Sequence, residues 1–180
     1  RGVTKPSELA ARLGTPQSNL SRPLALLLDL GLVSRDVPFG ESLRTTKKVL
    51  YSIRDQVLAF YYGTFLMVRS RWQTMSAAEK TAALHRHAAR QWEEFCRQAY
   101  PGSGRYWEKD VELDLVWRQP TSNKRALVAE CKWARLTARE EQAELRRLRD
   151  MFGRTKLSRS LERVEFRVFT KNDLPRLARE

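Results

Sequence analysis

Asp114, Glu130 and Lys132 are the residues whose types and spacing carry chemistry. They fall in Val111-Glu112-Leu113-Asp114-Leu115-Val116 and in Ala126-Leu127-Val128-Ala129-Glu130-Cys131-Lys132-Trp133. Both runs are rich in Val and Leu, and Pro120-Thr121-Ser122-Asn123 between them is turn chemistry, so they read as two β-strands. Side chains alternate faces along a strand. Glu112 and Asp114 then share one face of the first strand, with Leu113 and Leu115 on the other. In the second strand Glu130 and Lys132 share a face and Cys131 points away. Pairing the strands brings Asp114, Glu130 and Lys132 into one cluster. Two carboxylates at ligand range suit a hard divalent cation, Mg²⁺ or Mn²⁺. A nearby lysine can orient, or help deprotonate, a water that attacks a phosphate, while the metal stabilises the developing charge.

Asp114 precedes Glu130-Cys131-Lys132 by 16 residues. This pattern resembles the PD-(D/E)XK nuclease signature, an acidic residue on one strand and Glu-x-Lys on the next. With Glu112-Leu113-Asp114, Trp133 and a winged-helix-like region ahead of them, the chain resembles the C-terminal part of archaeal-type DEXX-box ATPases. That part is described as a domain of unknown function with a nuclease-like fold, and the resemblance covers nearly the whole chain. It implies metal ligation by Asp114 and Glu130, water positioning by Lys132, and an N-terminal ATPase region outside these residues as a partner. Nucleases of this kind often carry a glutamate on the helix before the first active strand. Helical geometry puts Glu93 at the edge of the Trp92, Phe95, Cys96 and Ala99 face and Glu94 nearly opposite. Glu93 or Glu112 would complete the catalytic shell. Two readings without catalysis stand beside this one. The charges form cross-strand ion pairs on a solvated face, or the nuclease fold is kept and its site retired.

The residues ahead of these strands must position them. Residues 1–54 carry a helix-turn-helix with a wing. Ser7 is a candidate cap, Leu9, Ala10 and Leu13 form an apolar stripe ended by Gly14, and Thr15-Pro16 restarts a helix through Leu20, Leu24, Leu27 and Leu28 to Gly31. Residues 32–37 and 48–53 alternate as a β-hairpin, completing the winged-helix order. In such modules the second helix enters the major groove by its N-terminal residues. This places Gln17, Ser18, Asn19 and Arg22 near DNA bases and Arg44, Lys47 and Lys48 of the wing near phosphates. Pro23 is expected to kink that helix, and a winged helix used for protein contacts is the alternative. Residues 55–75 form a connecting helix, apolar round most of its circumference and expected to be buried.

Residues 76–180 make the nuclease-like domain. Ser76-Ala77-Ala78-Glu79 and Thr137-Ala138-Arg139-Glu140 are capping boxes. They open helices to about Tyr100 and to about Phe152, the second with Glu141, Leu145, Leu148 and Phe152 facing inward. Arg146, Arg147, Arg149, Arg154, Lys156 and Arg159 form a basic run, and residues 164–169 alternate as a third strand. A helix between strands 126–133 and 164–169 implies a parallel crossover. The fold class is α/β (α+β overall), a winged helix followed by a mixed sheet flanked by helices.

The formal charge of +13 favours a polyanionic partner, and DNA is the expected one. Two cysteines, Cys96 and Cys131, give neither a disulfide framework nor a CxxC pattern, which suits a reducing cytoplasm. His85 and His87 are two apart, a poor spacing for joint metal ligation on a helix. No apolar run is long enough to span a membrane, no signal peptide is recognisable, and self-association is left open. The sequence thus points to a Mg²⁺-dependent, DNA-hydrolysing C-terminal module of an ATPase. The alternative is a non-catalytic regulatory module that binds DNA or protein. A transcriptional or antitoxin-like regulator ranks behind both, because it leaves the C-terminal half unexplained.

Overall fold

The computed structural model describes residues 4–121 and 125–177, so Ser122 and Asn123 of the expected turn lie outside the described residues. The fold is mixed α/β with two sheets. The chain gathers into two compact units. The first ends at Val37 and resumes from Glu41 to His87; the second takes Pro38–Gly40 and the described residues from Ala88 onward.

In the first unit, α1 (Pro6–Leu13) opens with proline at its start and closes on Gly14, whose φ of 60° is left-handed. A 3-10 turn at Gln17–Leu20 then leads into α2 (Ser21–Asp29). The helical path restarts right after Pro16 as expected, but as a 3-10 turn before the α-helix proper. Pro23 is the third residue of α2, in the first turn, where a backbone N–H has no intrahelical partner to lose. Strands β1 (Val33–Asp36) and β2 (Leu50–Ile53) pair antiparallel, with Val33 opposite Ile53, so helix, turn, helix and hairpin follow one another in this unit.

Asp55 caps α3 (Gln56–Phe60) by accepting the Leu58 N–H at 2.8 Å. The helical path continues through a π-turn at Tyr61–Phe65, α4 (Leu66–Val68) and a 3-10 turn at Arg69–Arg71. It is not buried round its circumference as its composition suggests. Val57, Tyr62, Leu66 and Met67 are exposed, Met67 at 79%. The wide π-turn rotates the residues after it, so the apolar positions no longer follow one stripe. Next comes α5 (Ala77–Gln98), opened by the expected capping box: the Ser76 N–H donates to Glu79 at 2.8 Å and the Glu79 N–H to the Ser76 hydroxyl at 3.3 Å. Its residues through His87 belong to the first unit and the rest to the second.

The second unit holds β3 (Gly104–Glu108), β4 (Val111–Arg118), β5 (Arg125–Cys131), α6 (Ala138–Gly153), β6 (Arg163–Phe169) and α7 (Leu174–Leu177). Sheet order is β3-β4-β5-β6, with the first two pairings antiparallel and β5–β6 parallel across α6. The crossover is the expected one. Strand β3 is not foreseen in the pattern, because its two-residue turn is Lys109-Asp110. Lys109 itself takes a φ of 52°, which usually advertises glycine.

The sheet is covered on both faces. Leu148 and Phe152 of α6 pack on Val111, Leu113, Val116 and Val128. Trp92 and Cys96 of α5, with Leu177 of α7, pack on Leu115, Leu127, Ala129 and Phe169. Glu108 ties β3 to the segment after α6, accepting the Lys156 N–H at 3.0 Å and the Tyr106 hydroxyl at 2.8 Å. These bonds hold its carboxyl down at about 2. A depressed carboxyl contributes stability above its unfolded value near 4.5 and loses it as pH falls toward the folded value. Glu108→Gln should therefore lower Tm at pH 7, and its deficit against wild type should shrink from about pH 4.5 downward. A deficit independent of pH contradicts this origin.

Candidate functional site

The site begins with one extra residue in β4. Tyr106 faces Leu113 and Gly104 faces Val116, so three steps on β4 answer two on β3. This is a β-bulge, a device that re-aims a side chain and interrupts the ladder. It also resets the alternation of faces. Leu113 and Val116 lie in the core under α6, whereas Leu115 lies with Trp92 and Cys96 on the other side. The expectation that Leu113 and Leu115 share a face is corrected, and the reset falls at Asp114.

Pairing of β4 with β5 starts at Leu115 opposite Ala129. Beyond it, side chains take over from the ladder. Arg97 of α5 donates to the Asp114 carbonyl at 2.9 Å, and the Cys131 N–H donates to Asp114 Oδ2 at 2.9 Å. Buried backbone groups need partners of this kind. Asp114 is 7% exposed and Glu130 8%. On β5 and at the residue just past it the alternation holds: Cys131 packs with Trp92 and Cys96, while Glu130 and Lys132 meet, Lys132 Nζ standing 2.7 Å from Glu130 Oε1.

Burial pushes the Asp114 carboxyl above its ordinary range and the charge of Glu93 adds to this, against the Cys131 N–H, Lys132 and Arg97. Burial also raises Glu130, followed by the charge of Asp114, against Lys132 and Arg147. Burial opposes the charge on Lys132, yet the hydrogen bond and charge of Glu130 with the charges of Glu144 and Asp114 together outweigh it, and the ammonium is favoured. The result is a desolvated acidic centre with one lysine inside it.

Glu93, half-buried on α5, joins the electrostatics of Asp114, while Glu94 is exposed and pairs with Arg97 at 2.9 Å. Glu112 instead pairs with Arg105 of β3. Glu141 is exposed; Glu144, one turn along α6, stands 3.8 Å from Lys132. Arg97 and Glu144 are contributors that the sequence pattern does not single out. The one-turn spacing of Arg97 from Glu93 is a usable signal, but the reach of Glu144 depends on where the crossover sets α6 down.

Among the described residues no three His, Cys, Asp or Glu side chains form a group able to hold a metal ion. The buried carboxylates Asp114 and Glu130 are the pair on which a cation could draw. Such a pair suits Mg²⁺, which keeps several waters and commonly takes only one or two protein carboxylates.

In the first unit, Gln17, Ser18 and Asn19 are exposed on the 3-10 turn and Arg22 is exposed in the first turn of α2. Arg44, Lys47 and Lys48 are exposed between β1 and β2, with Lys48 Nζ 2.6 Å from Glu41. The same α2 exposes Leu26, and Leu30 just past its end is exposed too. His87 packs edge-on against Phe60, with ring centroids 5.3 Å apart, and is half-buried.

Residues 62–144 match a family described as archaeal and bacterial proteins of unknown function. The chain is also similar to an uncharacterised protein of Methanocaldococcus jannaschii, 25% identical over 171 residues. That likeness covers 83% of this chain and 36% of the relative, so the chain spans about a third of the relative's length. No solved structure matches at a significant level. Among the described residues no helix is long and apolar enough to cross a membrane.

A carboxyl that folding raises gives up stability as pH climbs from its unfolded value through its folded one. Asp114→Asn keeps an acceptor for the Cys131 N–H and removes the charge. In EDTA at pH 7 its Tm should rise by a few degrees, on the order of 2–4 °C per kcal/mol recovered, with the gain fading as pH is lowered. A lower Tm at every pH contradicts the electrostatic account.

Proposed function

We propose that this chain is a metal-dependent nuclease module that hydrolyses DNA phosphodiester bonds. The observation that carries the reading is the desolvated pair Asp114 and Glu130, both raised by burial and by neighbouring carboxylates, with Lys132 at 2.7 Å from Glu130. Two desolvated carboxylates that share one lysine are costly, and a hard cation relieves them. Asp114 and Glu130 would hold Mg²⁺ or Mn²⁺. Such an ion, when bound, polarises a phosphoryl oxygen and lowers the pKa of a water.

The chain's own residues divide the remaining work. Lys132 stays charged, so it orients the attacking water and meets negative charge on the phosphate rather than taking a proton. Arg97 fixes the Asp114 backbone through its carbonyl. Glu93 adds negative charge beside Asp114, while Glu112, paired with Arg105, is left a structural part. Gln17, Ser18, Asn19 and Arg22, with Arg44, Lys47 and Lys48, would contact duplex DNA in the manner of a winged helix. An ATPase region would lie N-terminal to these residues, in keeping with the greater length of the Methanocaldococcus relative.

A second reading, a non-catalytic regulatory module, draws on a separate observation. Among the described residues, eleven exposed large apolar side chains fall in the first unit, Val57, Tyr62 and Met67 among them, against Leu174 in the second. Surface of that kind suits a protein partner.

Incubation with labelled duplex, branched and single-stranded DNA separates the two. With Mg²⁺ or Mn²⁺ the wild type should cut and in EDTA it should not. Asp114→Ala should reduce cleavage at least about a hundredfold and Lys132→Ala by about 10²–10³, with DNA affinity largely kept. Cleavage retained in Asp114→Ala sinks the nuclease assignment; binding without cleavage in wild type favours the regulatory module.

A further inference from the structure

The exposed face of α6 carries Arg146, Arg147 and Arg149, with Arg154 just past its end; the sequence alone presents them as one undivided basic run. Their surroundings differ. The Arg149 guanidinium lies over the Phe166 ring, 5.6 Å from its centroid. Arg154 Nη1 is 3.2 Å from Asp110 Oδ2 of the β3–β4 turn. Arg147 turns the other way: its Nη1 is 3.6 Å from Glu144 Oε2, and its charge acts on Glu130. Glu144 Oε2 is also 3.8 Å from Lys132 Nζ. Charges therefore alternate along a short path, Glu130, Lys132, Glu144, Arg147. Its inner end is buried, and its outer end is an arginine side chain 61% exposed.

We infer that Arg147 is the residue that receives a DNA backbone phosphate beside the candidate centre, with Glu144 as the positioning residue that keeps Arg147 and Lys132 on one line. The inference rests on the nuclease reading for the identity of the polyanion. Two cations sharing one carboxylate are held a fixed short way apart, so a strand whose phosphate lies at Lys132 brings a neighbouring phosphate to Arg147. A guanidinium matches a phosphate through two parallel N–H donors, which an ammonium does not offer. Holding the arginine beforehand lowers the side-chain entropy given up when the phosphate arrives. Arg149 lies over a ring and Arg154 pairs with Asp110 of the β3–β4 turn, so neither belongs to the path that starts at Glu130.

The test is the salt dependence of binding to a labelled DNA duplex, with Ca²⁺ replacing Mg²⁺. Removing one lysine or arginine that neutralises a phosphate should lower the slope of log affinity against log salt by about one. Arg147→Gln should show that drop, Arg147→Lys should restore the slope while binding more weakly than wild type, and Arg154→Gln should keep the wild-type slope. An unchanged slope in Arg147→Gln, equal drops in Arg147→Gln and Arg154→Gln, or a wild type that binds no DNA overturns the inference. Because no cleavage is read, a slope that falls as expected in a protein that never cuts DNA sinks the nuclease assignment alone.

Discussion

A bulged strand cannot complete its ladder, and at Asp114 that shortfall organises the second unit. The Asp114 carbonyl turns to Arg97 and the Cys131 N–H turns to the Asp114 carboxylate, so α5, β4 and β5 are joined at one residue. Nearby, the Trp92 indole donates to the Phe169 carbonyl at 3.2 Å, extending the tie to β6. An aspartate in a regular strand would have left its carboxylate on a sheet face, where α5 and its arginine had no orphan carbonyl to meet. Bulges of this sort recur beside functional sites because they aim a side chain without moving the strands around it.

The bulge also has an energetic consequence. It draws a carboxylate out of solvent next to Glu130 and Glu93, in a chain whose overall charge is strongly positive. A positive net charge favours polyanions at long range, whereas charged carboxylates disfavour them at close range. Lys132 softens that repulsion, and a bound cation would reverse it. Stability is given up at this point, as it generally is at sites built around shifted charges.

Much of this is legible in the sequence. Strand alternation places Glu130 beside Lys132 and turns Cys131 into the core, because β5 keeps its period throughout. Both capping boxes, Ser76 with Glu79 and Thr137 with Glu140, sit where their spacing demands. The parallel crossover follows from a helix between two strands. What the pattern misses has local causes. A bulge leaves no mark in an apolar-polar alternation, so Leu113 and Leu115 read as neighbours on one face. Lys109 hides the β3–β4 hairpin by standing where glycine is usual. A π-turn breaks the stripe of the helix after Asp55. The partnership of Lys132 with Glu144 comes from tertiary placement, which no window of sequence contains.

The amide hydrogen of Cys131 is held by a side chain instead of by a neighbouring strand, in a residue 7% exposed. Ladder amides in the middle of this sheet can exchange with solvent only when strands part. The Cys131 hydrogen needs only that one aspartate let go, so its exchange follows local opening rather than global unfolding. Whatever binds the other carboxylate oxygen, or protonates it, changes the lifetime of that bond. One backbone hydrogen thus serves as a built-in clock for the state of the acidic centre, readable with no substrate present.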